Sequence, residues 1–165
     1  AMKLPLYIAL FVFGVAIAQS ICFYPLLPDI VGSHFDISGK VNGTTSKMGY
    51  FIVYFVSLAI TSSFTILIPL IFKYVPTSMI NLPHKAYWLS DERREESIRF
   101  LNVHLSWFGV ATMLLMVIIF HLTFLANLSP IKNLSAPAPW ALLATFVIFT
   151  IWWTVVLLKR FPKPS

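Results

Sequence analysis

The chain has 165 residues, of which 58% are hydrophobic and 11% charged, with a formal net charge of +6. Soluble domains carry about 25% charged residues, and a mean hydropathy of +0.82 leaves more apolar side chain than one soluble core of this size can hide, so lipid must solvate part of the surface. A soluble enzyme, a large extramembrane domain and a nucleic-acid-binding module are thereby excluded: the basic residues flank apolar runs, where anionic headgroups and the positive-inside rule place them.

The start, Ala1-Met2-Lys3, reads as an initiator Met behind a cloning residue. Span one is expected over 4–27. It is too long, and too poor in a small-residue cleavage site, for a signal peptide. Pro5 suits its first turn. Gln19 and Ser20 are its strongly polar members, and Pro25 and Pro28 end it. Cys22 is the single cysteine, so it has no internal disulfide partner and is expected to behave as a small buried hydrophobe.

A polar stretch follows over 28–47. Asp36-Ile37-Ser38-Gly39 and Asn42-Gly43 are turn signals. They predict a compact structured loop with at most a hairpin-like fold, packed on the bilayer face. Ser46 is placed to N-cap the next helix. Span two, over 48–74, would be about 40 Å long at 1.5 Å per residue, more than a hydrocarbon core of about 30 Å. Thr61, Ser62, Ser63 and Thr65 lie within it, with hydroxyls to bond back to the helix or across to a neighbour. Pro69 is placed to kink its end.

The second loop, over 75–99, carries Tyr87 and Trp88 as interfacial anchors. Ser90 reads as an N-cap, with Asp91 and Glu92 facing the positive end of the dipole. Glu95 and Arg99 form a favourable i,i+4 pair. A short polar helix is therefore expected to run straight into span three, over 100–125. A turn over 127–138 leads to span four, over 139–158, and Lys159, Arg160 and Lys163 close the chain. With four spans, the N-terminal segment, second loop and tail share a side. They hold Lys3, Lys73, Lys85, Arg93, Arg94, Arg99, Lys159, Arg160 and Lys163. Lys40, Lys47 and Lys132 lie on the other. The bias places both termini in the cytoplasm and the 28–47 loop outside. The fold class is thus an all-α integral membrane protein, a single four-transmembrane-helix bundle with a structured exterior loop between spans one and two.

Three constellations carry possible chemistry. His34 with Asp29 and Asp36 offers nitrogen and oxygen ligands for a divalent metal. The alternative is structural: Asp29 caps a turn after Pro28, Asp36 makes an Asx-turn with Gly39, and His34 is interfacial. His104 and His121 suggest haem, but 17 residues of one helix set them about 25 Å apart, and spans one, two and four contain no His. The run Asp91-Glu92-Arg93-Arg94-Glu95-Glu96 reads as a solvated, salt-bridged helix face. No span carries an ionised residue in its middle, which argues against a pump, a proton-coupled transporter or a charged channel. No catalytic residue and no cofactor is expected. Asn42-Gly43-Thr44, Asn127-Leu128-Ser129 and Asn133-Leu134-Ser135 fall on the expected exterior, and are glycosylation acceptors only in a eukaryotic secretory pathway.

The segment from Tyr24-Pro25-Leu26-Leu27-Pro28-Asp29 through His34-Phe35 and Gly39 to Ser46-Lys47 resembles a bacterial membrane domain family of uncharacterised function, with the pattern LPD-x-V-x-x-HF-x-x-x-G and a following Ser-Lys. The same domain forms the N-terminal part of SdpI-type immunity and signalling proteins. Asn81-Leu82-Pro83-His84-Lys85-Ala86-Tyr87-Trp88, continuing to Arg93-Arg94, resembles a segment of stand-alone bacterial members, with His84 where Asn is expected. The resemblance implies a multi-pass protein of the bacterial cytoplasmic membrane. The expected function is a non-enzymatic recognition, immunity or signalling module. Its exterior loop (Pro28, Asp29, His34, Phe35, Gly39, Ser46 and Lys47) would meet a peptide or another membrane protein, and its cytoplasmic segment (Asn81, Pro83, Tyr87, Trp88, Arg93 and Arg94) would dock or relay. An accessory subunit of a larger membrane complex is the alternative, and a metal-dependent membrane enzyme the second alternative.

Overall fold

The computed structural model describes residues 3–135 and 137–164. The Ala1-Met2 pair, and with it the expected start signal, lies outside the described residues. The elements run α1 (Lys3–Phe23), β1 (Ile30–Phe35), β2 (Val41–Ser46), α2 (Lys47–Ile71), α3 (Lys85–Trp88), α4 (Arg94–Leu128) and α5 (Pro137–Arg160), with short 3-10 turns at Phe72–Tyr74 and Thr77–Met79. Four helices, α1, α2, α4 and α5, are long and apolar enough to cross a membrane. The protein is a polytopic, mostly helical membrane protein.

All-α needs one correction. The loop between the first two spans is an antiparallel β-hairpin with Val31 opposite Thr45 and Gly32 opposite Thr44. Alternation explains it: Val31 is fully buried while Ile30 and His34 are exposed, and along β2 Val41, Gly43 and Thr45 are half-buried while Asn42, Thr44 and Ser46 are exposed. Short strands rich in Gly and Asn look like loop in sequence. The helices beneath give their inner face something to pack on.

Helix α1 stops at Phe23, before Pro25 and Pro28. Helix α2 starts where expected, because Ser46 Oγ accepts from Gly49 N at 3.1 Å. Helix α4 runs unbroken from its polar first turns into the apolar span, with Glu95 and Arg99 paired at 2.9 Å. Ser90 does not cap it. A turn intervenes, and the Ser90 carbonyl accepts from Arg93 N and Arg94 N at 3.0 and 2.9 Å, while its hydroxyl meets the Arg93 guanidinium at 3.5 Å. Glu95 and Glu96, not Asp91 and Glu92, occupy the first turn of the helix.

Lipid tails are as apolar as leucine, so helices here associate through close packing and hydrogen bonds rather than exclusion from water. Helices α1, α2 and α4 form the core around Ala9, Ala16, Tyr54, Leu58, Met113 and Phe124. Gly109 brings α4 against α2: a Cβ there would crowd the Phe64 Cβ at 3.0 Å and overlap the Thr65 hydroxyl. Thr65 Oγ1 donates to the Ser106 carbonyl at 3.0 Å, while Ser62 and Ser63 bond back to their own helix. Helix α5 lies outside this trio with no buried residue. It is held by His104, stacked on Trp153 at 4.2 Å, and by reciprocal bonds from each ring to the other residue's carbonyl at 3.1 and 3.0 Å. Cys22 is free and exposed on α1, facing out of the bundle rather than into it as expected.

A smaller core of Ile80, Leu82, Leu89, Ile98, Leu101 and Phe161 closes the end opposite the hairpin. It gathers the second loop, the start of α4 and the tail. Trp88 Nε1 donates to the Pro162 carbonyl at 3.0 Å, and Arg160 pairs with Glu96 at 2.5 Å.

Candidate functional site

The hairpin sits where α1 ends, α2 begins and α4 ends, and it is fixed at three places. At its root, Lys47 N donates to the Asp29 carbonyl at 2.8 Å. Lys47 Nζ donates to the Leu27 carbonyl at 3.0 Å, lies over the Tyr24 ring at 5.0 Å and stands 3.5 Å from the Asp29 carboxylate, which is almost fully exposed. Lys47 therefore ties the end of the first span to the start of the second.

At the tip, Asp36 Oδ1 accepts from Ser38 N at 2.8 Å, Ser38 Oγ at 2.7 Å and Lys40 N at 3.0 Å. These bonds, that from the Ser38 hydroxyl first and that from the Lys40 amide next, hold its carboxyl below the usual carboxylate range. Gly39 takes φ +84°, and its carbonyl accepts from Leu134 N at 2.8 Å. The loop before α5 is thereby drawn onto the tip. A Cβ at Gly39 would overlap the Leu134 carbonyl, so glycine is required twice over.

Along the edge, Asn127 of α4 behaves as a one-residue strand. Its Oδ1 accepts from Gly32 N at 2.6 Å, and its Nδ2 donates to the Gly32 carbonyl at 2.9 Å and to the Thr123 carbonyl at 2.9 Å. Gly32 is buried, so both backbone groups need a partner. Asn127 is buried too, with its amide committed on both sides, so it is not presented as a glycosylation acceptor.

Below the hairpin, polar side chains continue into the bundle. Tyr50 hydrogen-bonds Thr123. Tyr54 OH donates to Gln19 Oε1 at 2.7 Å, and Gln19 Nε2 meets His121 Nδ1 at 3.3 Å. Gln19, Tyr50, Tyr54, His121, Thr123 and Asn127 thus join α1, α2 and α4 under the cap. Apart from Gln19, noted for its polarity, His121, considered for haem, and Asn127, noted as a glycosylation acceptor, these residues are not singled out by the sequence. Their signal is the spacing: Tyr50 with Tyr54, and Thr123 with Asn127, stand at i,i+4 on their helices.

Of the expected site residues, His34 is exposed and Phe35 half-buried. His34 Nδ1 stands 3.0 Å from Ser33 Oγ, and its ring lies across Gly43, where an added Cβ would be 3.0 Å from Nδ1. The metal constellation is not brought together. Asp29 precedes β1 and Asp36 follows it, which sets them about 23 Å apart at roughly 3.3 Å per residue. Among the described residues no group of three or more His, Cys, Asp and Glu is placed to hold a metal ion. His104 and His121 are engaged with Trp153 and Gln19 on separate levels of α4.

At the opposite end, Asn81 and Pro83 are exposed. Arg94 staples its loop, donating to Thr77 Oγ1 at 3.0 Å and to the Val75 carbonyl at 2.6 Å. Arg93 lies over the Tyr87 ring at 4.2 Å. His84 takes φ 52°, the left-handed region where Asn is favoured over most side chains. The asparagine expected there from the resemblance therefore has a conformational reason.

A family described as a domain of unknown function, DUF1648, matches residues 10–58. That stretch runs from α1 through the hairpin into α2. No curated protein and no solved structure matches the chain. The chain is thus similar to an uncharacterised family over its helix–hairpin–helix unit.

Proposed function

We propose that this protein is a non-enzymatic recognition module of the bacterial cytoplasmic membrane, with the hairpin presented on the exterior and both termini in the cytoplasm. The observation that carries the reading is a rigidly held cap that exposes apolar side chains. Ile30, Ile37 and Ile131 are 57%, 79% and 78% exposed, on a platform tied at root, tip and edge. Preorganised surfaces bind without an ordering cost, and exposed apolar patches mark contact sites. The partner class is a peptide or the exterior part of another membrane protein. The resemblance to a bacterial membrane domain family supports the cytoplasmic-membrane location, and the concentration of Lys and Arg on the opposite side supports the orientation. The segment with Asn81, Pro83, Tyr87, Trp88, Arg93 and Arg94 is the corresponding cytoplasmic docking face.

The test uses whole cells. Ser38→Cys should react with a membrane-impermeant thiol reagent in intact cells in a Cys22→Ala background; reaction only after lysis overturns the orientation. A photo-crosslinker at Ile37 should then capture one discrete partner, and loss of that adduct on His34→Ala would place the contact on this face. Adducts no different from those at Tyr74, exposed at the other end, would sink the recognition reading.

A second reading, an accessory subunit of a larger complex, is favoured by α5. Its Ile148 and Trp152 are 67% and 60% exposed and none of its residues is buried. Purification in mild detergent separates the two: a large stable complex supports the subunit, a small particle the free-standing module.

A further inference from the structure

Beneath the hairpin is a cavity of about 320 Å³ with a segregated lining. Ser33, His34 and Thr45 line one end, and Val53, Ile119 and Phe120 the other, with the Tyr50–Thr123 pair between them. Its size is within the range of small-molecule sites, about 300–1,000 Å³.

The polar end is equipped to bind. When Ser33 Oγ donates to His34 Nδ1, the other ring nitrogen carries the proton and is left to donate. Thr123 Oγ1 donates to the Phe120 carbonyl at 2.9 Å, so Tyr50 is the donor in its bond to Thr123 and keeps its own lone pairs open. Thr45 makes no side-chain hydrogen bond among the described residues. No Lys or Arg lines the cavity, so it has no fixed cation with which to select an anionic headgroup.

Depth gives the ligand class. Thr45 lies in β2 and Tyr50 in the first turn of α2, while Ile119 and Phe120 are nine and eight residues before the end of α4 at Leu128, about 12–14 Å below that end along the helix. Val53, on the rim, is 57% exposed on the outer surface of the bundle, where acyl chains surround a membrane protein. A cavity that is hydrogen-bonding at interfacial depth, apolar below and open at an outward-facing rim matches an amphiphile standing in its own leaflet.

We propose that this cavity is a phospholipid site: one acyl chain runs against Val53, Ile119 and Phe120, and the ester carbonyl region accepts hydrogen bonds from His34 and Thr45. The site does not depend on the hairpin's outer face having a protein partner. A lipid held there underpins the hairpin and fills the space between it and the α2–α4 seam.

The protein is reconstituted in vesicles of phosphatidylethanolamine and phosphatidylglycerol with a trace of phospholipid bearing a diazirine on one acyl chain, irradiated, and mapped by mass spectrometry. Annular lipid labels residues according to exposure. The half-buried Ile119 and Phe120 should instead be labelled several-fold more than the exposed Val147 and Ile148 of α5, with little change when the probe's headgroup is switched from ethanolamine to glycerol. Val53→Trp, which fills the cavity, should lower labelling at Ile119 to that of Ile148 while leaving the gel-filtration profile unaltered. Labelling of the unmodified protein that simply follows exposure overturns the site, whether or not the tryptophan variant folds. Labelling that collapses with the ethanolamine headgroup overturns the ester-region contact.

Discussion

Replacing Asn127 with alanine tests the edge clamp on which the cap depends. The substitution removes the acceptor for Gly32 N and the donor to the Gly32 carbonyl, bonds of 2.6 and 2.9 Å. Gly32 is buried and on the edge of β1, so water does not take over without the hairpin lifting. Leaving one buried polar group unsatisfied costs about 1–3 kcal/mol, so two cost about 2–6 kcal/mol. The third bond, to the Thr123 carbonyl, lies within α4 and adds little to the hairpin's attachment. At about 1.4 kcal/mol per tenfold, opening of the hairpin should rise at least about thirty-fold. The assay is hydrogen–deuterium exchange in lipid nanodiscs, followed by mass spectrometry of peptides spanning 28–47 and 52–66. The first should exchange faster by that factor, while the second, in the middle of α2, stays as it was. Exchange over 28–47 within about twofold of the parent would refute the reasoning. It would mean that Gly32 finds other partners and that the clamp contributes no net stability.

Gly109→Ala should force α4 from α2 at the Thr65 contact and destabilise the bundle by about 1–3 kcal/mol, the usual cost of overpacking, seen as earlier unfolding in a denaturant titration in detergent. Asp36 has a folded pKa lowered from 3.8, so its contribution to tip stability is complete above that value and is lost as pH falls through the lower, folded one. Exchange at Ser38 and Lys40 amides, corrected for intrinsic rate, should accelerate across that acidic window, and Asp36→Asn should remove the pH dependence. His84→Asn should be neutral or stabilising, whereas His84→Val should destabilise by about 1–2 kcal/mol through the left-handed backbone; thermal melts of the two variants that coincide would show that the φ of 52° is not what constrains the position.

The parts of this protein legible in sequence are those whose physics is local. Four apolar segments announce helices because mean hydropathy needs no partner to be read. Ser46 caps α2, Glu95 meets Arg99, and Asp36 organises the turn to Gly39, since each acts on neighbours within four residues. Ser90 fails as a cap for a tertiary reason. Packing of the second loop on Leu89, Ile98 and Phe161 inserts an extra turn before α4. The metal constellation fails for a related one, because the two carboxylates it needs are separated once β1 extends between them.

The clamp that fixes the hairpin was beyond such reading. Asn127 and Gly32 are 95 residues apart, and Gln19 and His121 are 102 apart. A glycine on a strand edge has no side chain to advertise what its backbone needs, and an asparagine near a helix end looks like a C-terminal residue awaiting water. Which groups become partners depends on how α4 lies against α1, α2 and the hairpin, and that is set by side-chain shape across all three helices. The sequence by itself therefore determined the membrane-spanning architecture and the local turns, through hydrophobicity and short-range hydrogen bonding. Only the tertiary structure decided that the polar stretch is a β-hairpin bolted to the end of α4 above a cavity, because strand edges and cavities exist only once distant backbones have been brought together.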